Sequence, residues 1–445
     1  MLLLLAQILF WLSVVALFYT YAGYPILVAL VSALRPRPVD RAPIEPAVSI
    51  IITAYNEELS LKAKLENTLA LDYPPELLEI IVASDCSTDA TDEIARAFAS
   101  RGVRLHRQAE RLGKTAAQNA AVQMARGKIL IFSDATSHYQ PNVVRAMMPN
   151  FADASVGCVA GRLIYVDNSD SQVGRGARSY WNYEVFLKTH ESRACSLIGA
   201  SGCLYAVRKA AYVPLYNEAC SDFIIATKMV EQGLRAVYEP NAICEEETNR
   251  RADKELKMRV RVIAQTFTDL WRHRGMLNPL REGFYAVQLL SHKVMRYLMP
   301  FFLIALFAAS SVLAFSSTAF RIAFVVQLLG YSGGVVAWVL ECSGVRHRLL
   351  ALPHYFLLTN AASLIALYQF LRGERYAHWE PIREVGPSSS SALHQLASDP
   401  AGELSLSEMV REESLNRQHY EFVQAFAVLR NLKHDYQPNE RSDQK

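Results

Sequence analysis

Four residues stand where a charge has chemistry available to it. Asp85 lies in EIIVASDCSTD, Asp134 in ILIFSDATSHYQP, Asp222 in CSDF and Lys114 in RLGKT. Asp134 follows the apolar run 129–132, at the point where hydrophobicity stops. A carboxylate at the mouth of a sheet could hold a divalent cation that in turn holds a diphosphate. It could equally cap the turn that follows. Asp85 ends an apolar run in the same pattern and could accept hydrogen bonds from a nucleoside, with the same capping alternative. Lys114 opens an Ala-rich helical stretch, where an ammonium and the helix dipole together attract phosphate. It is not a phosphate-loop lysine, because Gln108 stands where that loop needs glycine. Asp222 reads as the N-cap of a helix over 222–232. The dipole would hold it ionised there, as a general base requires. Arg259 and Arg261 are two apart and so point from different helix faces. One of them could meet the charge of a leaving diphosphate. The acidic run Glu245–Glu246–Glu247 reads as solvated.

These residues need elements to hold them. The runs 48–53 (VSIIIT), 78–83 (LEIIVA), 103–106 and 129–132 are apolar and β-branched, as strands buried on both faces must be. They alternate with helical patterns over 59–69, 90–99 and 114–125, which predicts a parallel α/β sheet. After 150 the order becomes mixed: strand-like 156–166, helical 180–189, a Gly-Ala-Ser-Gly turn within 198–207, strand 236–239 and a long basic helix over 253–273.

Of the 445 residues, 51% are hydrophobic and 20% charged, and the apolar excess is concentrated at 1–34 and between 297 and 371. That predicts an integral membrane protein with one soluble domain. Its parts are an N-terminal anchor (1–34), a proline-rich linker (35–47), a soluble domain (48–275), an amphipathic interfacial helix (276–296), three transmembrane helices (297–371) and a hydrophilic tail (372–445). A capping box, Ser405 to Glu408, precedes amphipathic helix in the tail, either a docking element for a partner subunit or a cap on the domain. Arg35, Arg37 and Arg41 follow the anchor directly, which predicts a cytosolic soluble domain. Seven cysteines without a CxxC pair fit free thiols in a reducing compartment. A net charge of +3 gives no case for nucleic acid. Apolar spans without intramembrane charges argue against a transporter.

Taken in order, VSIIITAYNEE, EIIVASDCSTD, RLGKTAAQN, ILIFSDAT, GASG and the late Asp222–Phe223 resemble the family 2 glycosyltransferases of the GT-A fold. The flanking apolar helices resemble membrane-bound synthases of the cellulose and hyaluronan synthase type. The resemblance implies a GT-A domain with a mostly parallel sheet plus transmembrane α-helices, in the bacterial inner membrane with the catalytic domain cytosolic. It implies that Ala54, Tyr55, Glu57 and Asp85 contact a nucleotide-sugar (a UDP- or GDP-sugar) and that Lys114 approaches the nucleotide. Asp134 matches the first carboxylate of the DxD motif and would hold Mg2+ or Mn2+, with Thr136 in the third position. Ser201 and Gly202 belong to the acceptor-side loop. Asp222 matches the catalytic base, with Ser221 in place of the usual acidic neighbour. Arg261 matches the arginine of the QxxRW motif, which is otherwise missing. The implied activity is inverting transfer of a sugar to a saccharide or lipid-linked acceptor, in cell-surface polysaccharide synthesis. The alternatives are a polyprenyl-phosphate glycosyltransferase and a non-catalytic subunit of a synthase.

Overall fold

The structure is a computed structural model of the chain, and it describes residues 1–166, 172–247, 251–342 and 348–378. The chain divides into two units, Met1–Ile382 and Arg383–Lys445. The tail helix and its expected docking role lie outside the described residues.

Eight strands form one sheet: β1 (Val48–Ala54), β2 (Leu78–Ser84), β3 (Val103–Arg107), β4 (Ile129–Asp134), β5 (His138–Tyr139), β6 (Val156–Val166), β7 (Tyr205–Arg208) and β8 (Arg235–Glu247), in the order β3-β2-β1-β4-β7-β6-β8-β5. The first four are parallel, and β7 runs antiparallel to both β4 and β6. β1 is buried along its whole length. Its alternate residues feed two cores, as the two-residue period of a strand dictates. Ile50 and Ile52 pack with Leu61, Leu65 and Val144 on one face, while Ile51 packs with Ala117, Ala121 and Ile225 on the other.

The chain runs outward through β1, β2 and β3, then returns so that β4 pairs with the free side of β1. The strand order therefore reverses between β1 and β4, where ligands bind in sheets of this kind. Thr53 pairs with Asp134 and Ala54 with Ser84, so three strands end level with one another there. Asp85 and Asp134 thus flank one crevice with β1 between them.

The helices used below are α1 (Leu2–Leu34), α2 (Leu61–Leu69), α3 (Thr91–Ala97), α4 (Lys114–Met124), α5 (Gln172–Ala194), α6 (Ser221–Glu231), α7 (Ala252–Arg272), α8 (Phe284–Leu313), α9 (Thr318–Cys342) and α10 (Ala351–Leu371). Among the described residues, α1, α8 and α9 are long and apolar enough to cross a membrane. Of the stretch read as an interfacial helix, the part from Phe284 onward is continuous with α8, and Gly283, with φ +58°, separates it from the short turns before it. One π turn, Leu290–Met295, lies inside α8, and another, Tyr19–Gly23, lies inside α1. The two turns meet, the Tyr19 hydroxyl lying 2.6 Å from Ser291 Oγ. α10 packs on α7 through Ala362 and Ala366, and on α5 through Tyr355 and Leu358.

After α10 the chain turns at Gly373, whose φ of +81° suits glycine. It then lies against the soluble domain. Gln265 Nε2 donates to the Tyr376 carbonyl at 2.8 Å, and His378 Nε2 donates to the Arg111 carbonyl at 2.8 Å.

Candidate active site

The crevice between β1 and β4 is walled by the loops that leave β1 and β2, and these loops brace one another. Ala54 ends β1, and its carbonyl accepts from Asp85 N at 2.9 Å. Asn56 Oδ1 accepts from Thr88 N at 2.7 Å, and Glu57 N donates to Thr91 Oγ1 at 2.7 Å. Asn56 and Cys86 hold φ of +53° and +59°, and they are the non-glycine residues with positive φ among those described. Strain of this sort persists where surrounding bonds over-determine it, and it gathers at functional sites. Tyr55 lies beneath the Arg111 guanidinium, 3.8 Å from ring to cation.

Asp85 is fully buried, and its two oxygens take the amides of Leu112 and Gly113 at 2.9 to 3.1 Å. The carboxylate therefore fixes the turn that delivers Lys114 to the start of α4. Gly113 has φ +99°, and a Cβ there would overlap the backbone of Ala377. Two carboxylate oxygens offer about four acceptor positions, so Asp85 keeps capacity beyond this turn.

Lys114, Asp134 and Asp222 converge. Lys114 Nζ pairs with Asp134 Oδ1. A Cβ built on Gly202 would stand 3.3 Å from Lys114 Nζ, 3.5 Å from Asp222 Oδ2 and 3.6 Å from Asp134 Oδ2. Glycine at this position leaves open the space that the three charged groups face. Burial lowers the Lys114 pKa, but the Asp134 and Asp222 charges outweigh it and leave it raised.

Glu246 corrects the reading of its acidic run as solvated. It lies on β8, pairs in register with Tyr165, and accepts from Thr136 Oγ1 at 3.1 Å. Burial and the neighbouring Asp134 charge push its carboxyl up to about 7. The sheet, which the sequence reading ended at 239, carries this glutamate to the crevice.

Asp222 is not the N-cap of α6. Cys220 holds that position and Asp222 lies in the first turn, where Cys220 Sγ donates to its Oδ1 at 3.2 Å. The dipole still favours its negative charge. The cap is secured from α7, where Asp269 Oδ2 accepts from Cys220 N at 3.1 Å and Oδ1 takes the Tyr216 hydroxyl. Burial pushes the Asp269 carboxyl up to about 8, with the Asp222 charge adding to it. The unfolded chain loses that proton near pH 4. Stability from this residue is therefore present below about pH 4 and falls as pH rises toward 8. Asp269→Asn keeps the acceptor for Cys220 and removes the titration. Its thermal midpoint should decline less between pH 5 and pH 8 than the wild type's.

On the other side of Asp222, Ser201 Oγ accepts from Lys188 Nζ at 2.7 Å, and Lys188 also reaches the Ala200 carbonyl at 3.4 Å. Burial lowers the Lys188 pKa. Beyond it, Glu184 pairs with Arg296 and lies 3.2 Å from His292, whose other nitrogen is 2.7 Å from Glu191. Arg259 pairs with Glu255 at 2.7 Å and bonds the Tyr355 hydroxyl, which places it toward α10. Arg261, half-buried, leaves α7 from a different face.

Asp134 Oδ2 takes no hydrogen bond from the described residues, and no three His, Cys, Asp or Glu side chains among them form a closed metal site. One available carboxylate oxygen fits a hard cation that completes its shell with diphosphate and water, as Mg2+ commonly does.

Residues 49–216 match the family model for glycosyl transferase family 2. The chain is similar to N-acetylglucosaminyltransferase of Rhizobium meliloti (strain 1021), 27% identical over 268 residues that cover 56% of this chain and 62% of that protein. It is also similar to succinoglycan biosynthesis protein ExoO of the same organism, 31% identical over 154 residues that cover 34% of this chain and 41% of that one. The chain thus spans less than two thirds of the length of either relative. Among solved structures, mannosyltransferase PcManGT from Pyrobaculum calidifontis in complex with GDP-Man and Mn2+ aligns with a TM-score of 0.63 at 22% identity, over 84% of this chain and 100% of that one. That likeness is one of fold.

Proposed function

From a GT-A chain that carries a family 2 glycosyltransferase domain over residues 49–216, we propose a membrane-bound inverting glycosyltransferase that uses a nucleotide-sugar donor. The observation that carries this reading is the convergence of Lys114, Asp134 and Asp222 on the space left by Gly202. A base, a cation and a carboxylate suited to a metal are what a direct displacement at an anomeric carbon requires.

In this reading Ala54, Tyr55, Glu57 and Asp85 form the nucleoside side of the crevice, and Lys114 reaches the diphosphate. Asp222 accepts the proton of the acceptor hydroxyl as its oxygen attacks the anomeric carbon. The nucleoside diphosphate leaves from the opposite face, and Arg261 offsets the charge it gains. Asp134 would hold Mg2+ or Mn2+, which supplies Lewis-acid charge to the diphosphate when bound. Ser201 and Gly202 line the acceptor side. The acceptor is a saccharide or lipid-linked saccharide in cell-surface polysaccharide synthesis, a reading supported by the names of the two Rhizobium relatives. The helices α1, α8 and α9 support a place in the bacterial inner membrane, with the domain in the cytosol.

The test is a panel of UDP- and GDP-sugars offered to membranes bearing the full chain, with Mg2+ or Mn2+. One donor should be consumed with release of nucleoside diphosphate. Consumption of none, against a known transferase as control, would overturn the reading.

A further inference from the structure

We infer that Lys64 is a positioning residue of the transfer site: its buried ammonium holds the turn of Asp134 and favours the metal–nucleoside diphosphate that docks there. The inference rests on the transferase reading and adds to its donor side a residue that the proposed mechanism leaves unused.

Lys64 lies on α2 and is fully buried. Its Nζ donates to Ser137 Oγ at 3.3 Å, and Ser137 Oγ in turn donates to the Asp134 carbonyl at 2.9 Å. The ammonium therefore stands one side chain behind the backbone of Asp134. Ser133 Oγ lies 3.2 Å from Ser137 Oγ, so the turn that leaves β4 closes around that hydroxyl. The same ammonium is 3.5 Å from the centroid of the Tyr139 ring. Asn67, also on α2, accepts from Tyr139 N at 2.8 Å and donates to the Tyr139 carbonyl at 2.9 Å. The Tyr139 hydroxyl donates to the carbonyl of Cys203, the residue after Gly202, at 2.8 Å. One helix thus braces the turn of Asp134 and, through Tyr139, the loop of Gly202.

Lysine is a costly choice for this place. Among the described residues its polar contacts are Ser137 and the Tyr139 ring, and no carboxylate pairs with it. Burying an ammonium without a paired carboxylate costs stability, and a cation–π contact returns part of that cost. Burial lowers its pKa to about 8, with Cys244, Cys203, Asp134 and Glu246 opposing the fall, so the charge is present at pH 7. Methionine would fill the same space without a charge to desolvate, so packing alone does not account for lysine. Local rules are broken in this way at functional sites. A nucleoside diphosphate carries more negative charge than one divalent cation neutralises, and a cation behind the crevice attracts the excess. Being fully buried, Lys64 acts through Ser137 and through its field rather than by contact.

The test uses the purified full chain in detergent at pH 7, with UDP and GDP as probes in the presence of Mn2+. Binding is read from the loss of the free Mn2+ resonance signal, and the thermal midpoint is measured beside it. Lys64→Met should weaken binding of the preferred nucleotide about tenfold, the size of one buried charge acting across the turn. Its thermal midpoint should stay level or rise, because a desolvated charge has been removed. Lys64→Gln keeps a donor for Ser137 without the charge, should weaken binding in the same direction, and serves should the Met variant not fold. Tyr139→Phe keeps the ring, drops the tie to Cys203 and should leave nucleotide affinity unchanged. Wild-type affinity in the Met and Gln variants would overturn the inference. So would a midpoint that falls in step with affinity, or failure of both variants to fold, since Lys64 would then be a stabilising core residue. An equal loss in Tyr139→Phe would overturn it too, because any change behind the turn would have the same effect. A wild type that binds neither nucleotide would overturn the transferase reading itself.

Discussion

Asp222→Asn should bind nucleotide-sugar as the wild type does and transfer the sugar roughly 100- to 10,000-fold more slowly, the usual worth of a positioned general base. The substitution is nearly isosteric, and Asn keeps an acceptor for Cys220 Sγ, which bonds Asp222 Oδ1 at 3.2 Å. Asp269 still secures the cap of α6 through Cys220 N. Geometry therefore survives and basicity does not. Donor affinity by equilibrium binding and single-turnover transfer separate the two effects. Near wild-type transfer by Asp222→Asn would mean that the attacking oxygen carries no proton to remove, as for a phosphate oxygen.

Asp134→Asn should act on the donor. Two contacts change together: the ion pair with Lys114, and the oxygen open to a metal. Affinity for nucleotide-sugar in Mn2+ should fall by about tenfold or more, and the dependence on metal should flatten. The wild type should bind Mn2+ weakly without nucleotide, because one carboxylate cannot replace a hydration shell. Tight Mn2+ binding to the nucleotide-free protein would show a fuller ligand set than Asp134 provides. Pairing Asp134→Asn with Lys114→Met gives the coupling energy directly. The double variant should lose less than the sum of the two single losses, since one ion pair joins the residues.

The parallel half of the sheet was legible because of where it lies. Strands covered on both faces must be apolar without interruption, so ILIF and VSIII announce themselves, and the polar residue that ends each run is a strand end. Lys114 at a helix start was legible from glycine and alanine spacing. The role proposed for Asp222 came from resemblance rather than pattern, and its place in the helix was misjudged by two residues, because Asp is itself a favoured cap. Glu246 looked solvated because charge density along the chain says nothing about a neighbour across the sheet. Glu184 and His292 went unread for a related reason. They meet across α5 and α8, about a hundred residues apart in sequence, and no local period encodes such a pair. Asp85 shows an intermediate case: its position was readable, but its hold on Leu112 and Gly113 was not.

The contact of residues 376–378 with the loop at 111–113 fixes a parity. A chain that leaves the soluble domain at Leu277 and touches it again at His378 has crossed any bilayer between them an even number of times. The pair α8 and α9 satisfies that count. If α8, α9 and α1 each cross once, Met1 should stand on the face opposite Tyr376. Impermeant thiol labelling of Met1→Cys and Glu374→Cys in sealed vesicles should modify one position and spare the other.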